Sequence, residues 1–365
     1  MEHVAIVGIG TAVPAYGLDQ EDASRRLSDA LASSPDNARW AQRIFGHSGV
    51  DRRYTCDPRL LEPAASCCYL PSGADTGVPT TEERMAIYQR EAVVLAAEAA
   101  RKALADSKSR PGDITHLIAV SCTGMFLPGL DAELIDPLDL RPDVRRIPLT
   151  FMGCAAGLTA IRQAEEIVRN SPSSKVLVVA VELCTLHIQP SFEREQLFAA
   201  AFFGDGASAC VIGKPDPADE GNFGLRKTQA LLLPNTSDKM RWTIGNYGFR
   251  LFLSPEIPRL IAREVPEALQ LFWGCEEMPE LWAIHPGGRG IIDALSAAFG
   301  LEDSQTEASR SVLRRYGNMS SATILFVLAE IRERQLEKNE GMKEGIAVAF
   351  GPGMTAEMIR FTFHP

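Results

Sequence analysis

The sequence lacks several features that would assign it to common functional classes. It contains no apolar run of about 18 residues or more, so we expect no membrane span. It has no lysine- and arginine-rich block with interleaved aromatic residues, and its formal net charge is −10, which makes nucleic acid an unsuitable partner. Glu2 and His3 stand where a secretory signal would be basic. We therefore interpret this stretch as the first strand of a cytoplasmic protein.

The cysteines do not form a recognisable framework. Eight are present, but none forms a C-x-x-C pair, and Cys67 and Cys68 are adjacent, which is poor geometry for chelation. A chain of 365 residues is also far longer than the small secreted domains that depend on disulfides. The pattern therefore predicts reduced thiols and no metal site.

Short apolar, β-branched segments alternate with amphipathic ones, and this alternation predicts an α/β fold. Proline and acidic residues interrupt the pattern at 213–222, after which a shortened version of the same order follows. The sequence thus predicts two related halves, 1–213 and 224–365. In the first half the expected strands are 3–10, 116–124, 175–184 and 206–213, and the expected helices are 86–107 and 157–170. In the second half the expected strands are 280–288, 344–353 and 356–363, and the expected helices are 289–300 and 321–336.

Two glycine-containing turns follow predicted strands. "GIGTAV" at 8–13 has Val13 in place of the third glycine of a dinucleotide fingerprint, and no acidic residue stands at a strand end about 20 residues on, so its glycines are interpreted as turn and packing residues.

In "TFMGCAAGLTAI" Cys154 lies between Gly153 and Gly157 at a strand-to-helix corner. A helix N-terminus lowers the pKa of a thiol, and the glycines leave room for an acyl group and for close approach of the backbone. A buried, inert cysteine fits the same local context equally well.

Two residues further along the chain favour the nucleophile. His285 ends an apolar strand and precedes Pro-Gly-Gly, so its ring is expected at a carboxyl-end loop, where chemistry occurs in α/β folds. Asn318 follows a glycine and precedes a helix, a place that a plain N-cap also explains. Cysteine, histidine and asparagine occur in this order in papain-like proteases too. The local signature of that class is absent around Cys154, which argues against a protease.

Five motifs occur in order along the chain: GCAAGL at 153–158, FFGDGAS at 202–208, HPGG at 285–288, YGNMSSAT at 316–323 and AFGPGM at 349–354. Together they resemble the chalcone synthase-like, or type III, polyketide synthases, in their bacterial form, and the resemblance covers nearly the whole chain. It implies a duplicated thiolase-like fold in five αβαβα layers and a homodimer. The implied reaction is iterative condensation of malonyl-CoA, with loss of CO₂, onto an acyl-CoA starter, followed by cyclisation to a pyrone, resorcinol or other phenolic polyketide. No cofactor is implied, because the CoA thioesters are substrates.

Ketoacyl synthase III and HMG-CoA synthase share the thiolase-like fold and the same three catalytic residue types. Each performs a single condensation. They are the alternative that the resemblance leaves open, although His-Pro-Gly-Gly and the AFGPGM loop favour the polyketide branch. The number of malonyl units in the product distinguishes the two activities.

The resemblance also implies roles for individual residues. His285 pairs with Cys154 to hold a thiolate, and His285 and Asn318 donate hydrogen bonds to the enolate that forms when malonyl-CoA loses CO₂. Phe203 matches an aromatic gatekeeper that shields the site from water. The implied cavity residues are Cys122, Thr123, Leu127, Cys184, His187, Trp242, Leu251 and Ser320. The implied CoA contacts are Arg43, His47 and Arg289, with help from Arg52 or Arg53.

The sequence departs from the plant members of this family at several of these positions. Trp40 and His47 replace lysines, which implies a rearranged grip on the CoA phosphates. Leu251 replaces a phenylalanine and widens the entrance, whereas Trp242 replaces a small residue and narrows the cavity. Leu127 blocks a deep acyl tunnel and lies in a loop that, in this family, reaches into the partner subunit's cavity. Because these effects oppose one another, the sequence leaves the product length open.

Overall fold

The computed structural model of the chain describes residues 4–71, 77–216, 219–275 and 277–365. Within these ranges the strands are β1 (Val4–Ala12), β2 (Tyr16–Asp19), β3 (Arg52–Thr55), β4 (His116–Ser121), β5 (Arg145–Thr150), β6 (Val176–Leu183), β7 (Asp205–Gly213), β8 (Asn222–Leu232), β9 (Met240–Gly245), β10 (Gly248–Leu253), β11 (Leu281–Ile284), β12 (Lys343–Gly351) and β13 (Thr355–His364). The helices are α1 (Gln20–Ala30), α2 (Pro35–His47), α3 (Thr81–Asp106), α4 (Leu130–Glu133), α5 (Ala156–Asn170), α6 (Arg194–Phe202), α7 (Ile257–Trp273), α8 (Arg289–Phe299), α9 (Asp303–Tyr316) and α10 (Thr323–Lys338).

Nine strands form one mixed sheet in the order β11-β12-β13-β8-β1-β7-β6-β4-β5. The first predicted half supplies β1 and β4 to β7, and the second supplies β8 and β11 to β13. Strand β1 pairs antiparallel with β7 and also with β8, where Val4 lies opposite Leu225. The two halves are therefore joined edge to edge through the first strand of the chain.

Helices cover both faces of this sheet, and two of them pack against strands of both halves of the sheet. α3 packs on β1, β6 and β7, α5 and α10 lie in the core between the halves, and α7 and α8 cover the far side of the second half. Every residue of β6 and β7 is buried, as expected of strands covered on both faces. The predicted α/β fold with five αβαβα layers is confirmed.

The predicted strands and helices lie within a few residues of the observed ones, but no element was predicted in the early part of the second half, where β9, β10 and α7 lie. α7 contains Pro266, and a proline inside a helix is a signal that argues against one. Strands β9 and β10 form a separate two-stranded hairpin. This hairpin and α7 matter for function because both contribute to the cavity described below.

Membrane-spanning helices and metal-binding groups were both sought among the described residues. No helix there is long and apolar enough to cross a membrane. The same ranges hold no group of three or more histidine, cysteine, aspartate or glutamate side chains arranged for a metal ion. All eight cysteines fall within the described ranges, and all are free thiols.

Candidate active site

Cys154 sits on a tight corner between β5 and α5. Gly153 has a φ of +64° and begins a short 3₁₀ turn that leads into α5. A Cβ atom on Gly153 would lie 2.3 Å from Cδ of Pro352 in the AFGPGM loop. Glycine is therefore required here both for the left-handed backbone and for the close approach of the two halves.

Gly157 has one of the two roles that the sequence suggested. A Cβ atom there would lie 2.4 Å from the carbonyl oxygen of Ser321. That carbonyl belongs to the turn that precedes α10, so Gly157 lets α5 approach this turn closely, as predicted. Gly157 is not among the residues that line the cavity described below, so the predicted room for an acyl group does not lie beside it.

Asn318, His285 and Cys154 all line one cavity of about 280 Å³. The Sγ atom of Cys154 lies 4.0 Å from both Oδ1 and Nδ2 of Asn318. Nδ2 of Asn318 donates to the Gly287 carbonyl at 3.2 Å, and Oδ1 accepts from the backbone N–H of Ser320 at 2.9 Å. The fold thus brings together three residues that are far apart in the chain.

His285 lies directly after β11, and its side chain is 1% exposed. Its backbone N–H donates to the Val348 carbonyl at 2.9 Å, which continues the pairing of β11 with β12. Neither ring nitrogen has a hydrogen-bond partner among the described residues. A buried imidazole with both nitrogens unpaired costs free energy, and it is available to a neighbouring thiol or to a ligand in the cavity.

Burial acts on the two ionisable groups in opposite directions. It raises the pKa of the Cys154 thiol to about 11, although hydrogen bonds from Ser320 and Asn318 act to lower it. Burial lowers the pKa of the His285 imidazole to about 3. Burial therefore disfavours both a lone Cys154 thiolate and a lone His285 imidazolium. A thiolate at neutral pH needs a cation beside it.

Six further predicted residues line the same cavity: Phe203, Trp242, Leu251, Ser320, His47 and Arg289. Trp242 and Leu251 lie opposite each other on the β9–β10 hairpin, so the predicted widening and narrowing substitutions are cross-strand neighbours. The rest of the wall is largely apolar. Lining residues outside the five motifs include Phe198, Met240, Leu253, Ile257 and Ile291. Phe202 and Phe350 also line the cavity and lie inside motifs, but the sequence assigned them no role.

Five of the eight predicted cavity residues are not among the residues that line this cavity, and four of these five, all but Leu127, are buried. The hydroxyl of Thr123 donates to Glu182 at 2.8 Å and accepts from the Leu183 N–H at 2.9 Å. The thiol of Cys122 accepts from the Gly153 N–H at 3.0 Å. These contacts turn Thr123 and Cys122 toward the protein interior, behind the corner that carries Cys154.

The other two, Cys184 and His187, are buried in the interior as well. Nδ1 of His187 accepts from the Phe249 N–H at 3.0 Å, so Nε2 carries the proton and donates to the Thr123 carbonyl at 2.7 Å. The ring stacks on Phe249 with centroids 4.2 Å apart and meets the edge of Trp242 at 5.6 Å. His187 therefore supports Trp242 from behind instead of facing the cavity.

The residues predicted to contact CoA differ in their positions. His47 and Arg289 line the cavity, and Arg289 pairs with Asp293 at 3.2 Å. Arg43 and Arg52 are exposed and do not line it. Arg53 cannot contact CoA, since it is 1% exposed and donates to the Phe203 carbonyl at 2.7 Å. That expectation is corrected, because its hydrogen-bond partners lie in the interior.

Leu127 is 94% exposed and does not line the cavity of its own chain. Met125, in the same loop, is also exposed. An exposed leucine in a short apolar loop is compatible with insertion into a second subunit. The role of Leu127 across a dimer axis stays a prediction.

Glu182 is a buried residue of the site that the motifs did not indicate. Its carboxylate accepts from the Cys122 N–H at 3.0 Å and from the Thr123 and Ser321 hydroxyls. Burial raises its pKa, and these hydrogen bonds act to lower it. A glutamate inside the otherwise apolar strand "VLVVAVEL" was a readable signal, since a buried carboxyl group needs such donors.

Comparisons with known proteins agree with this geometry. Family models described as "Chalcone and stilbene synthases, N-terminal domain" and "C-terminal domain" match residues 2–217 and 225–362. Bisdemethoxycurcumin synthase from Oryza sativa subsp. japonica is 34% identical over 97% of this chain and 90% of its own. "Alpha-pyrone synthesis polyketide synthase-like Pks18" from Mycobacterium tuberculosis is 32% identical over 98% of this chain and 91% of its own.

Two solved structures have the same fold over essentially their full length. The C-terminal type III polyketide synthase domain of Steely1 from Dictyostelium superposes with a TM-score of 0.89 at 27% identity, covering 100% of both chains. PKS-I from the brown alga Ectocarpus siliculosus superposes with a TM-score of 0.88 at 29% identity, covering 100% of this chain and 99% of its own.

Proposed function

The chain belongs to the chalcone and stilbene synthase family of type III polyketide synthases, and from that premise we propose its reaction and the residues that perform it. It extends an acyl-CoA starter with malonyl-CoA units, releasing CO₂ at each step, and cyclises the product to a pyrone, resorcinol or other phenolic polyketide. One observation carries the proposal: Cys154, His285 and Asn318 all line a single, largely apolar cavity.

Cys154 is the nucleophile of the proposed reaction. Its proton passes to His285, and the thiolate attacks the thioester carbonyl of the starter, so that CoA leaves as a thiol and the acyl group stays on sulfur. The next malonyl-CoA loses CO₂, and the electron pair of the broken bond moves onto its α-carbon and thioester oxygen. His285 and Asn318 donate hydrogen bonds to that oxygen. The α-carbon attacks the carbonyl carbon of the acyl group, the bond from that carbon to Sγ of Cys154 breaks, and the lengthened chain is left on CoA. Transfer of this chain to Cys154 releases the CoA thiol and allows another round.

The phosphates of CoA are expected at the cavity mouth. We define the mouth by three residues that line the cavity and are exposed, namely His47, Arg241 and Arg289. The two arginines supply positive charge there. Arg43 is exposed on α2, and Nδ1 of His47 donates to its carbonyl oxygen at 2.8 Å, so Arg43 lies one helical turn from the mouth. The proposal needs no resident cofactor, since the CoA thioesters are the substrates. A cytoplasmic location, where free thiols persist, is part of it.

A homodimer is also part of the proposal. The exposed Leu127 and Met125 support it, together with Phe151 and Met152 beside the catalytic cysteine, which are partly exposed apolar residues. Such side chains cluster on surfaces that bind a partner. Sedimentation velocity at micromolar concentration tests this, and a species with the mass of one chain would contradict it.

A product profile tests the proposed reaction. Malonyl-CoA is supplied with short, long and aromatic acyl-CoA starters, and the products are identified by mass spectrometry. Products that contain two or more malonyl-derived units support the proposal. A profile in which every product contains a single extender unit would instead identify a single-condensation synthase of the ketoacyl or HMG type.

Trp242 is predicted to limit the size of the chain that fits. Replacement by alanine removes the largest side chain on the wall, and a methylene group in an enzyme pocket is worth about 1–3 kcal/mol. In Trp242→Ala we therefore expect preference to shift by about tenfold toward a starter two carbons longer, or toward one further extension. Competition between two acyl-CoA starters measures the shift. The control is Thr243→Ala, an exposed neighbour in β9 that does not line the cavity; equal shifts in both variants would contradict the role of Trp242.

The pH dependence of alkylation tests the pairing of Cys154 with His285. In the wild type the proton moves within the pair, so the rate with iodoacetamide should change little through the neutral range. In His285→Ala no acceptor remains, and the thiol keeps the pKa of about 11 that burial imposes. Its thiolate fraction is then about 1 in 10⁴ at pH 7 and rises about tenfold per pH unit below the pKa.

We therefore expect His285→Ala to be alkylated at least about a hundredfold more slowly than the wild type at pH 7. The loss should shrink steadily toward pH 11. Stopped assays with labelled iodoacetamide, followed by mapping of Cys154, provide the rates. His47→Ala, which replaces an exposed histidine that also lines the cavity, is the control and should keep the wild-type profile. Identical profiles in wild type and His285→Ala would rule out the ion pair.

A further inference from the structure

Arg53 is a buried cation that the reaction described above does not use. It lies in β3 with 1% of its surface exposed. Nε donates to the side-chain oxygen of Gln20 at 3.0 Å, and Nη1 donates to the Phe203 carbonyl at 2.7 Å. The Asp205 carboxylate attracts the guanidinium electrostatically but forms no ion pair with it among the described residues. Burying a charge that has no direct ionic partner costs several kcal/mol, and the groups that Arg53 holds indicate what this cost supports.

Gln20 extends this contact in two directions. Its Nε2 donates to the hydroxyl of Ser48 at 3.0 Å and to the Ala201 carbonyl at 2.8 Å. Ser48 directly follows His47 at the end of α2, at the mouth of the cavity. Ala201 lies in the last turn of α6, just before Phe203. Gln20 and Arg53 therefore form a continuous buried chain of hydrogen bonds from the mouth of the cavity to its gatekeeper.

The same chain reaches Asn318 through the backbone. Phe203 and Asn318 form an isolated β-bridge, in which the Asn318 N–H donates to the Phe202 carbonyl at 2.8 Å and the Gly204 N–H donates to the Asn318 carbonyl at 3.1 Å. The aliphatic part of Arg53 lies against this bridge. A Cβ atom on Gly317 would be 2.8 Å from Cγ of Arg53, so the arginine also sets the position of the segment that carries Asn318.

We propose that Gln20 and Arg53 are positioning residues that hold Phe203 and Asn318 in register with the cavity mouth and so couple the loss of CO₂ to condensation. This inference rests on the proposed function. When malonyl-CoA loses CO₂, the carbanion has two fates. It attacks the acyl group on Cys154, or it takes a proton from water and leaves as acetyl-CoA. Phe203 held at the site keeps water from the carbanion, whereas a displaced Phe203 admits it.

The measured quantity is the uncoupled fraction, which is acetyl-CoA formed per CO₂ released. It is determined with malonyl-CoA and hexanoyl-CoA as probes, using radiolabelled malonyl-CoA and chromatography. We expect Arg53→Gln to raise this fraction about tenfold, since a misplacement of about 1 Å at a reacting centre has effects of this size or larger. Arg53→Lys, which retains the charge but not both donors, should raise it less. Gln20→Leu should also raise the uncoupled fraction. The double variant should have an uncoupled fraction no higher than that of Arg53→Gln, because both substitutions interrupt the same chain of hydrogen bonds.

A merely structural role would reduce the amount of active enzyme and lower CO₂ and polyketide together, which leaves the fraction unchanged. Arg26→Gln is the matched control. Arg26 is also a buried arginine that donates to backbone carbonyls, those of Leu60 and Glu62 at 2.6 and 3.2 Å, and unlike Arg53 it also pairs with Asp22 at 2.8 Å. None of these partners lines the cavity. It should keep the wild-type fraction.

The outcomes separate this inference from the proposed function. If the wild type releases no CO₂ from malonyl-CoA and forms no extended product, the proposed function fails. If the wild type condenses and the variants at Arg53 and Gln20 keep its uncoupled fraction, only the positioning role is overturned. Should Arg53→Gln fail to fold, Arg53→Lys and Gln20→Leu decide the question, and an unchanged fraction in both would refute it.

Discussion

Replacement of Cys154 by alanine is expected to abolish polyketide formation while malonyl-CoA still loses CO₂. The thiolate is the only proposed acceptor of the acyl group, and loss of a catalytic nucleophile lowers turnover by about 10⁵-fold or more. The loss of CO₂ depends instead on His285 and Asn318, which remain in Cys154→Ala. We therefore expect CO₂ release within about tenfold of the wild type, with acetyl-CoA as the product. Radiolabelled malonyl-CoA measures both quantities in one assay.

The control for this result is another buried cysteine outside the cavity. Cys210 lies fully buried in β7, and Cys210→Ala removes the same atoms at a similar cost in packing. It should form polyketide at the wild-type rate per folded molecule. Elongation by Cys154→Ala would overturn the assignment of the nucleophile, and loss of CO₂ release in the same variant would show that decarboxylation needs the sulfur.

The layers of the fold were predictable because they depend on local pattern. Strands such as β6 are apolar at almost every position, and a strand covered on both faces has to be. Even the early start of α3 was readable: Thr80 and Glu83 form a capping box at its N-terminus, although the expected helix began only at residue 86. The pairing of β1 with β8 was not readable, since edge-to-edge contact of two halves leaves no periodic signal in either strand.

The candidate site shows the same division. Cys154, His285 and Asn318 each occupy a turn whose glycine, proline or helix start is visible in the sequence. The inward direction of Thr123 and His187 was not visible, because it depends on Glu182 and Phe249, which other segments supply. The burial of Arg53 was not predictable either, because most arginines are exposed. Arg53 is buried because its hydrogen-bond acceptors, Gln20 and the Phe203 carbonyl, come from segments that are distant in the sequence.

Asn318 supplies the second large effect, on the loss of CO₂ itself. Its Nδ2 group is the amide donor beside Cys154, and removal of one such donor to a developing oxyanion costs about 3 kcal/mol, or about a hundredfold in rate. We expect Asn318→Ala to release CO₂ from malonyl-CoA about a hundredfold more slowly than the wild type. Alkylation of Cys154 should change far less than CO₂ release, because His285 still accepts its proton.

A second substitution separates donation by Asn318 from its role in the turn. Oδ1 of Asn318 accepts from the Ser320 N–H at 2.9 Å, and a cap of this kind supports the start of a helix whatever the chemistry. Asn318→Asp keeps that acceptor but has no N–H group, and its negative charge repels the enolate. If the amide acts as a donor, the aspartate variant should keep thermal stability near that of the wild type and yet lose CO₂ release at least as severely as Asn318→Ala. An aspartate variant that is stable and fully active would show that Asn318 only shapes the turn.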